Sequence, residues 1–226
     1  MVKFSGPMKY YQDKVYEFNL PAGYTCPQAE ACLVKADRQT GKMKNGPKQT
    51  FRCYAAQNER FPTTRDMRWR NFDAVRNAEV TEIASLITAA MPKNAKRIRI
   101  HGSGDFFNQK YFDAWLELCR LHTDVLFWAF TKSVELWVNR LDQIPDNLIL
   151  QASWGGREDE LIERHNLKFA QVFKTVDQAL ESGLPIDVDD YYACTNNGSF
   201  ALVDNFGPDK GARVYIQNLK EGSSNE

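Results

Sequence analysis

Two spacings of apolar residues divide this chain. Near the start, Lys14-Val15-Tyr16-Glu17-Phe18-Asn19-Leu20 alternates polar with apolar, the period of a half-buried strand, and Pro21-Ala22-Gly23 ends it. From about Asn71 a helical spacing takes over. Val75, Val80, Ile83, Leu86, Ile87 and Ala90 fall on one face and predict a helix over 72–90, stopped by Met91-Pro92. Apolar runs then alternate with amphipathic stretches. Strands are expected over 97–101, 125–130, 147–152 and 169–173, and helices over 109–121, 134–144, 158–165 and 177–181. A fifth strand, over 186–189, leads to Cys194.

Strand and helix repeated four times imply parallel strands joined by right-handed crossovers. The expected fold is α/β: a partial (β/α) barrel of about five or six mainly parallel strands, preceded by an irregular cysteine-bearing segment. A closed barrel and an open doubly wound sheet are the other arrangements of the same repeat. One domain over 1–220 is expected, made of 1–70 (loops and the first strand), 71–195 (the βα repeats) and 196–220 (a C-terminal extension), followed by a disordered polar tail over 221–226. Functional side chains in such folds collect at the carboxyl ends of strands. His101, Gly102, Gly104 and Asp105 fall there, as do Lys132 at the next strand end, Ser153-Trp154-Gly155-Gly156 and Cys194. His101, Gly102, Gly104, Asp105 and Lys132 are the candidate cofactor-binding residues. Gly102 and Gly104 make a tight turn in any case. Asp105 either binds a ligand amine or hydroxyl or caps the helix near Asn108, and Lys132 meets an anion or pairs with Asp105.

Residues 21–70 carry three cysteines, Cys26, Cys32 and Cys53, among glycines and prolines. So long an irregular stretch in a compact domain is normally functional or tied down. Thiolates bind soft metals, and these three with Cys194 are the candidate metal ligands. No close Cys-x-x-Cys pair is present; five, twenty and 140 residues separate the four. That spacing favours a cubic 4Fe-4S cluster held by loops over a zinc ion, with unligated thiols as the third reading. Cys119 lies in an apolar helical context and reads as a core thiol. His122 and His165 sit near helix ends and receive no chemical role.

Net charge is zero, which excludes a global attraction to nucleic acid or membrane. Charge is uneven, however: between Lys35 and Arg70 ten Lys/Arg face three Asp/Glu. With Phe51, Tyr54, Phe61 and Trp69 interleaved, this basic 35–70 stretch reads either as a grip on a phosphate backbone and its bases, or as a solvated loop with its aromatics folded inward. A host protein is the other partner it could meet. No secretory signal and no run of roughly 20 apolar residues is visible, so a cytoplasmic location without membrane contact is expected, with five reduced thiols. No Ser-His-Asp order, Walker loop or His-Glu-x-x-His helix occurs, and no carboxylate pair is marked out.

His101-Gly102-Ser103-Gly104-Asp105-Phe106-Phe107, Tyr111-Phe112-Asp113-Ala114-Trp115 and Phe127-Trp128-Ala129-Phe130-Thr131-Lys132-Ser133 together resemble the bacteriophage "gene product eighty-eight" family. Leu20-Pro21-Ala22-Gly23-Tyr24-Thr25-Cys26-Pro27 with Cys53-Tyr54-Ala55 extends the likeness over roughly 15–195. It implies a phage origin, acting in a host bacterial cell, and says little about a reaction. A looser likeness is to radical S-adenosylmethionine enzymes. It implies a partial barrel, a 4Fe-4S cluster near the first strand and a Gly-rich strand end for the cofactor, although that family's Cys-x3-Cys-x2-Cys spacing is absent.

The expectation is therefore a phage iron–sulfur protein with one cluster, probed as redox, structural or radical S-adenosylmethionine-like. Four cysteine ligands favour electron transfer or structure; three leave an iron open to S-adenosylmethionine and make an enzyme. The alternative is a nucleic-acid or host-protein binding module with a structural zinc or iron–sulfur site.

Overall fold

The fold is taken from a computed structural model that describes residues 1–8, 14–188, 190–195 and 198–204. Seven strands form one sheet in the order β1 (Phe4–Ser5), β2 (Val15–Phe18), β5 (Arg97–Ile100), β6 (Leu126–Thr131), β7 (Leu148–Ser153), β8 (Phe169–Phe173) and β9 (Phe200–Val203). β1 runs antiparallel to β2, and every later pairing is parallel. A hairpin of β3 (Val34–Ala36) and β4 (Met43–Asn45) stands outside this sheet. The helices are α1 (Tyr54–Gln57), α2 (Pro62–Val75), α3 (Val80–Ala90), α4 (Gln109–Leu121), α5 (Val134–Val138), α6 (Asp159–Arg164), α7 (Val176–Glu181) and α8 (Tyr191–Thr195).

From β2 to β9 each strand of the sheet lies beside its predecessor in the chain, with no reversal of order. A doubly wound sheet reverses at a switch point; a sheet that always steps the same way curls like part of a barrel. The sheet is consistent with a partial barrel, and β1 and β9 end it without pairing to each other.

The strand period of two sorts side chains onto two faces. Ile98, Ile100, Phe127, Ala129, Leu148 and Leu150 meet α3 and α4 through Ile83, Ile87, Phe112, Trp115 and Leu116, forming the main core. Val15, Trp128 and Phe200 lie on the other face with Ala193 and Cys194 of α8. That second, concave face also carries Glu17, Arg97 and Arg99, whose alternation with buried isoleucines marks two chemically different sides of β5.

Several elements depart from expectation. The helix expected over 72–90 is two helices, and the first begins ten residues early, at Pro62. Its buried positions are Arg65, Arg68, Trp69, Asn71 and Val75, so no apolar stripe announced it. The N-terminal segment is not an irregular unit apart: it holds the β3–β4 hairpin and α1 and is bonded into the strand ends. The strand expected over 186–189 is reduced to one bridge, Ile186 to Ala201, and the last strand among the described residues is β9, inside the expected C-terminal extension. Cys194 sits in α8 rather than at a strand end. Asp189, most of 196–220 and the tail over 221–226 lie outside the described residues. Among the described residues no helix is long and apolar enough to cross a membrane.

Glu59 and Arg68 form a buried ion pair at 3.0 Å, with Glu59 Oε1 also accepting from Ala22 N–H and Arg68 Nη1 also donating to Ala55 O. Removing one partner strands a buried charge. Arg68→Ala should therefore lose about 3–5 kcal/mol in urea unfolding. Lys110→Ala, which breaks the exposed pair with Glu79, should lose less than about 1 kcal/mol. Equal losses in the two variants would contradict this.

Candidate functional site

Residues 19–61 cross the carboxyl ends of the strands and are stitched to them. Leu20 N–H donates to Ser103 O, Ser103 N–H to Asn19 Oδ1 at 2.8 Å, and Ser103 Oγ to Leu20 O. Further along, Ala31 N–H donates to Gly155 O, and Arg157 N–H donates to Gln28 O. The crossing segment roofs a cavity of about 370 Å³ at the top of the concave face. Its roof is Cys26, Ala29, Cys32 and Phe51–Ala55; its floor and walls include Arg99, Phe130, Val172 and Leu202; its rim includes Asp187, Asp190 and Asp204.

The turn after β5 forms one side. His101 takes a positive φ of 66°, and its buried Nε2 lies 3.0 Å from Tyr111 Oη. Burial drives its pKa down to about 3, so the ring is neutral, and its Nδ1 has no partner among the described residues. Gly104 has φ 91°, and a Cβ there would stand 2.6 Å from Thr25 Oγ1 and 2.7 Å from Leu20. At Gly102 a Cβ would meet the Glu17 carboxylate at 2.5 Å. Gly104 is thus required by its positive φ and by close packing of the turn against Leu20 and Thr25, whereas Gly102 faces only the end of the Glu17 side chain.

Asp105 is buried beneath the roof. Its Oδ1 accepts from Thr131 Oγ1 at 2.6 Å and from its neighbour Phe106 N–H, while Oδ2 accepts only from Lys132 N–H at 2.8 Å. Desolvation outweighs these bonds and lifts its pKa to about 6. Lys132 Nζ donates to Ser153 O, Ser153 Oγ and Trp154 O, using its three donors to clamp the ends of β6 and β7.

Cys26, Cys32 and Cys53 all line this cavity; Cys194 does not. Cys194 lies lower on the concave face, packed with Val15, Trp128 and Phe200, its Sγ 3.8 Å from Arg97 at the start of β5. Among the described residues no group of three or more His, Cys, Asp or Glu side chains could hold a metal ion. This overturns the expected iron–sulfur cluster and the zinc alternative on Cys26, Cys32, Cys53 and Cys194, and with them the S-adenosylmethionine that an open iron would have bound. The sulfurs are turned to other tasks. Cys26 Sγ accepts from Gly23 N–H at 3.3 Å, and Cys53 is bonded by the N–H groups of Ala55 and Ala56. Burial holds all three as neutral thiols, raising Cys32 to about 11 and Cys26 well above the usual range, the latter helped by Asp105. All five cysteines are free, and Cys119 is fully buried in the core.

Sequence reasoning missed one group. Arg99 pairs with Asp190 and Glu17 and donates to Tyr54 Oη at 2.9 Å, while Tyr54 Oη donates to Gly102 O. Two arginines alternating with isoleucines in a central strand were the available signal.

A family model described as Gene product 88 matches residues 4–217. The chain belongs to that family. Among curated proteins it is similar to "Gene 88 protein" of Mycobacterium phage L5, 29% identical over 147 residues, covering 56% of this chain and 55% of that protein. The corresponding "Gene 88 protein" of Mycobacterium phage D29 is 29% identical over 120 residues, covering 49% and 43%. The chain thus spans about half the length of the curated relatives it matches. No solved structure matches. None of these matches ties the Gene product 88 chain to radical S-adenosylmethionine enzymes.

Asp105 gives the site a pH signature. Its folded pKa, about 6, lies above the unfolded value near 3.8, so the folded state binds the proton more tightly. Its contribution is fully present below about pH 4 and is lost as pH rises through about 6. Relative to Asp105→Asn, which does not titrate, the wild type should lose about 2 kcal/mol of unfolding free energy between pH 4 and 7. A flat difference would show that Asp105 ionises at its ordinary pKa.

Proposed function

We propose that the chain is a nucleic-acid-binding module that grips a single strand along the basic segment roofing the pocket. The observation that carries this is the fate of the charges between residues 35 and 70. Of the ten cations, Arg65 and Arg68 are buried; Arg65 serves the carbonyls of Arg38, Gln39, Glu59 and Arg60. The other eight are exposed, and only Arg38 and Lys48 have acidic partners among the described residues. Of the three acids, Glu59 is buried with Arg68 and Asp37 bonds its own turn, which leaves Asp66. The exposed surface is therefore strongly positive although the chain as a whole is neutral.

Several of these cations lie close together. The hairpin tip rests on Arg60, since a Cβ on Gly41 would lie 3.3 Å from Arg60 Cα, and Lys42 follows Gly41. Arg60 and Arg52 share a shallow cleft with Gln57 and Asn58, and Arg52 also lines the pocket. Lys35 and Lys44 stand directly opposite each other across β3 and β4, an arrangement that costs stability unless an anion relieves it. Half-exposed Tyr54 and Phe61 supply ring faces beside the cations, and Arg60 lies over the Phe61 ring at 4.8 Å. Trp69, by contrast, is buried between Tyr24 and Arg38 and is part of the fold.

Backbone binding releases counterions, and ring stacking adds affinity without base preference. A labelled oligothymidylate should bind with an affinity that falls steeply between about 50 and 200 mM salt. The triple variant Lys42→Ala/Arg52→Ala/Arg60→Ala should reduce the log–log salt slope by about 2, and Phe61→Ala should weaken binding by about 1–3 kcal/mol at any salt. No binding at low salt, or an unchanged slope in the triple variant, would refute the reading and leave a host protein as the partner to seek.

A further inference from the structure

We infer that the roofed cavity is a receptor for one nucleobase bearing an exocyclic amine: adenine, cytosine or guanine. The inference rests on the proposed strand-binding reading only for where that base comes from. Arg52 lines both the cavity and the cleft that holds Arg60, so a strand lying on the track passes beside the cavity. About 370 Å³ is at the small-molecule end of ligand pockets.

Its lining suits a flat heterocycle that donates hydrogen bonds. Phe51 and Phe130 give ring faces, and burial keeps Cys26, Cys32 and Cys53 as neutral, polarizable walls. The ionisable groups on the inside are mainly acceptors. Lys132 has no donor left, and Arg99 is held by Asp190, Glu17 and Tyr54. Asp105 keeps an acceptor position on Oδ2, because that oxygen takes only the Lys132 N–H. The His101 ring packs against Phe106, Tyr111 and Trp115 of the core, which closes its Nδ1 to the cavity. One buried carboxylate oxygen with spare hydrogen-bonding capacity in an aromatic, thiol-walled cavity is what the amino group of a base would complete.

The test uses the full chain and 5′-nucleoside monophosphates in calorimetry. AMP and CMP should bind at least about tenfold more tightly than UMP, the size of one hydrogen bond to a charged group. Cys32→Phe, which fills the cavity from its wall, should abolish the difference. The wild type gives a second readout independent of any variant's folding. AMP should slow alkylation of Cys26, Cys32 and Cys53 by N-ethylmaleimide, and UMP should not. Equal binding of AMP and UMP, or thiols alkylated at the same rate with and without AMP, would overturn the inference. If oligothymidylate binds and AMP does not, the cavity inference fails while the strand-binding reading stands. If AMP binds and oligothymidylate does not, the cavity takes a free nucleotide and the strand-binding reading fails.

Discussion

What the structure depends on is the satisfaction of backbone groups in a segment that crosses strand ends without joining the sheet. Buried N–H and C=O groups must find partners. Residues 19–61 find many of theirs in side chains. Asn71 Nδ2 donates to Asn19 O and Lys3 O, Glu59 takes Ala22 N–H, Arg65 serves four carbonyls, and Arg68 serves Ala55. Nearly all of these donors stand on α2. That helix works as a polar spine, holding the roof over the sheet by hydrogen bonds as well as by the packing of Trp69 on Tyr24.

This explains which parts of the fold could be read from sequence. Helices α4, α6 and α7 and strands β5 to β8 pair an apolar face with a polar one, and their periodicity located them within a few residues. Helix α2 could not be found that way, because a face of Arg65, Arg68 and Asn71 looks like a solvated one until its partners are known. β9 was hidden differently. Its run Phe200-Ala201-Leu202-Val203 is short enough to be strand or helix, and only pairing beside β8 decides. Nearby Ile186 has the right chemistry for a strand but makes a single bridge, and Pro185 contributes no N–H to a ladder.

The turn over 101–105 was legible as a site because glycines at a strand end have few other uses. What those glycines do became clear only with neighbours in place: Gly104 is pressed against Leu20 and Thr25 of the crossing segment, and Gly102 against the Glu17 carboxylate of β2. Cysteine spacing was informative in part. It indicated that Cys26, Cys32 and Cys53 belong together, and the three do share a cavity. It could not show that loop N–H groups claim the sulfurs of Cys26 and Cys53, or that Cys194 lies lower on the concave face, beside the start of β5. Spacing reports what loops bring near; ligation also needs sulfurs aimed at one point.

The distribution of charge then argues for an orientation. Cations lie on the outside of the roof, from Lys42 through Arg60 to Arg52, while Asp105, Asp187, Asp190 and Asp204 line the cavity and its rim. The cations inside are already committed: Lys132 to carbonyls, Arg99 to Asp190 and Glu17. A phosphate entering the cavity would meet carboxylates at reduced dielectric, where repulsion is stronger than in water. On the outer surface it would meet exposed lysines and arginines, most of them without an acidic partner among the described residues. On the proposed reading, a nucleotide would be admitted by one end only. Its phosphate would be retained at the track by attraction and kept from the cavity by repulsion, so the base would be the part left free to turn inward. Selectivity of this kind needs the unfavourable contact as much as the favourable one. The polar spine of α2 makes it possible, since it fixes the roof that separates the two charge environments.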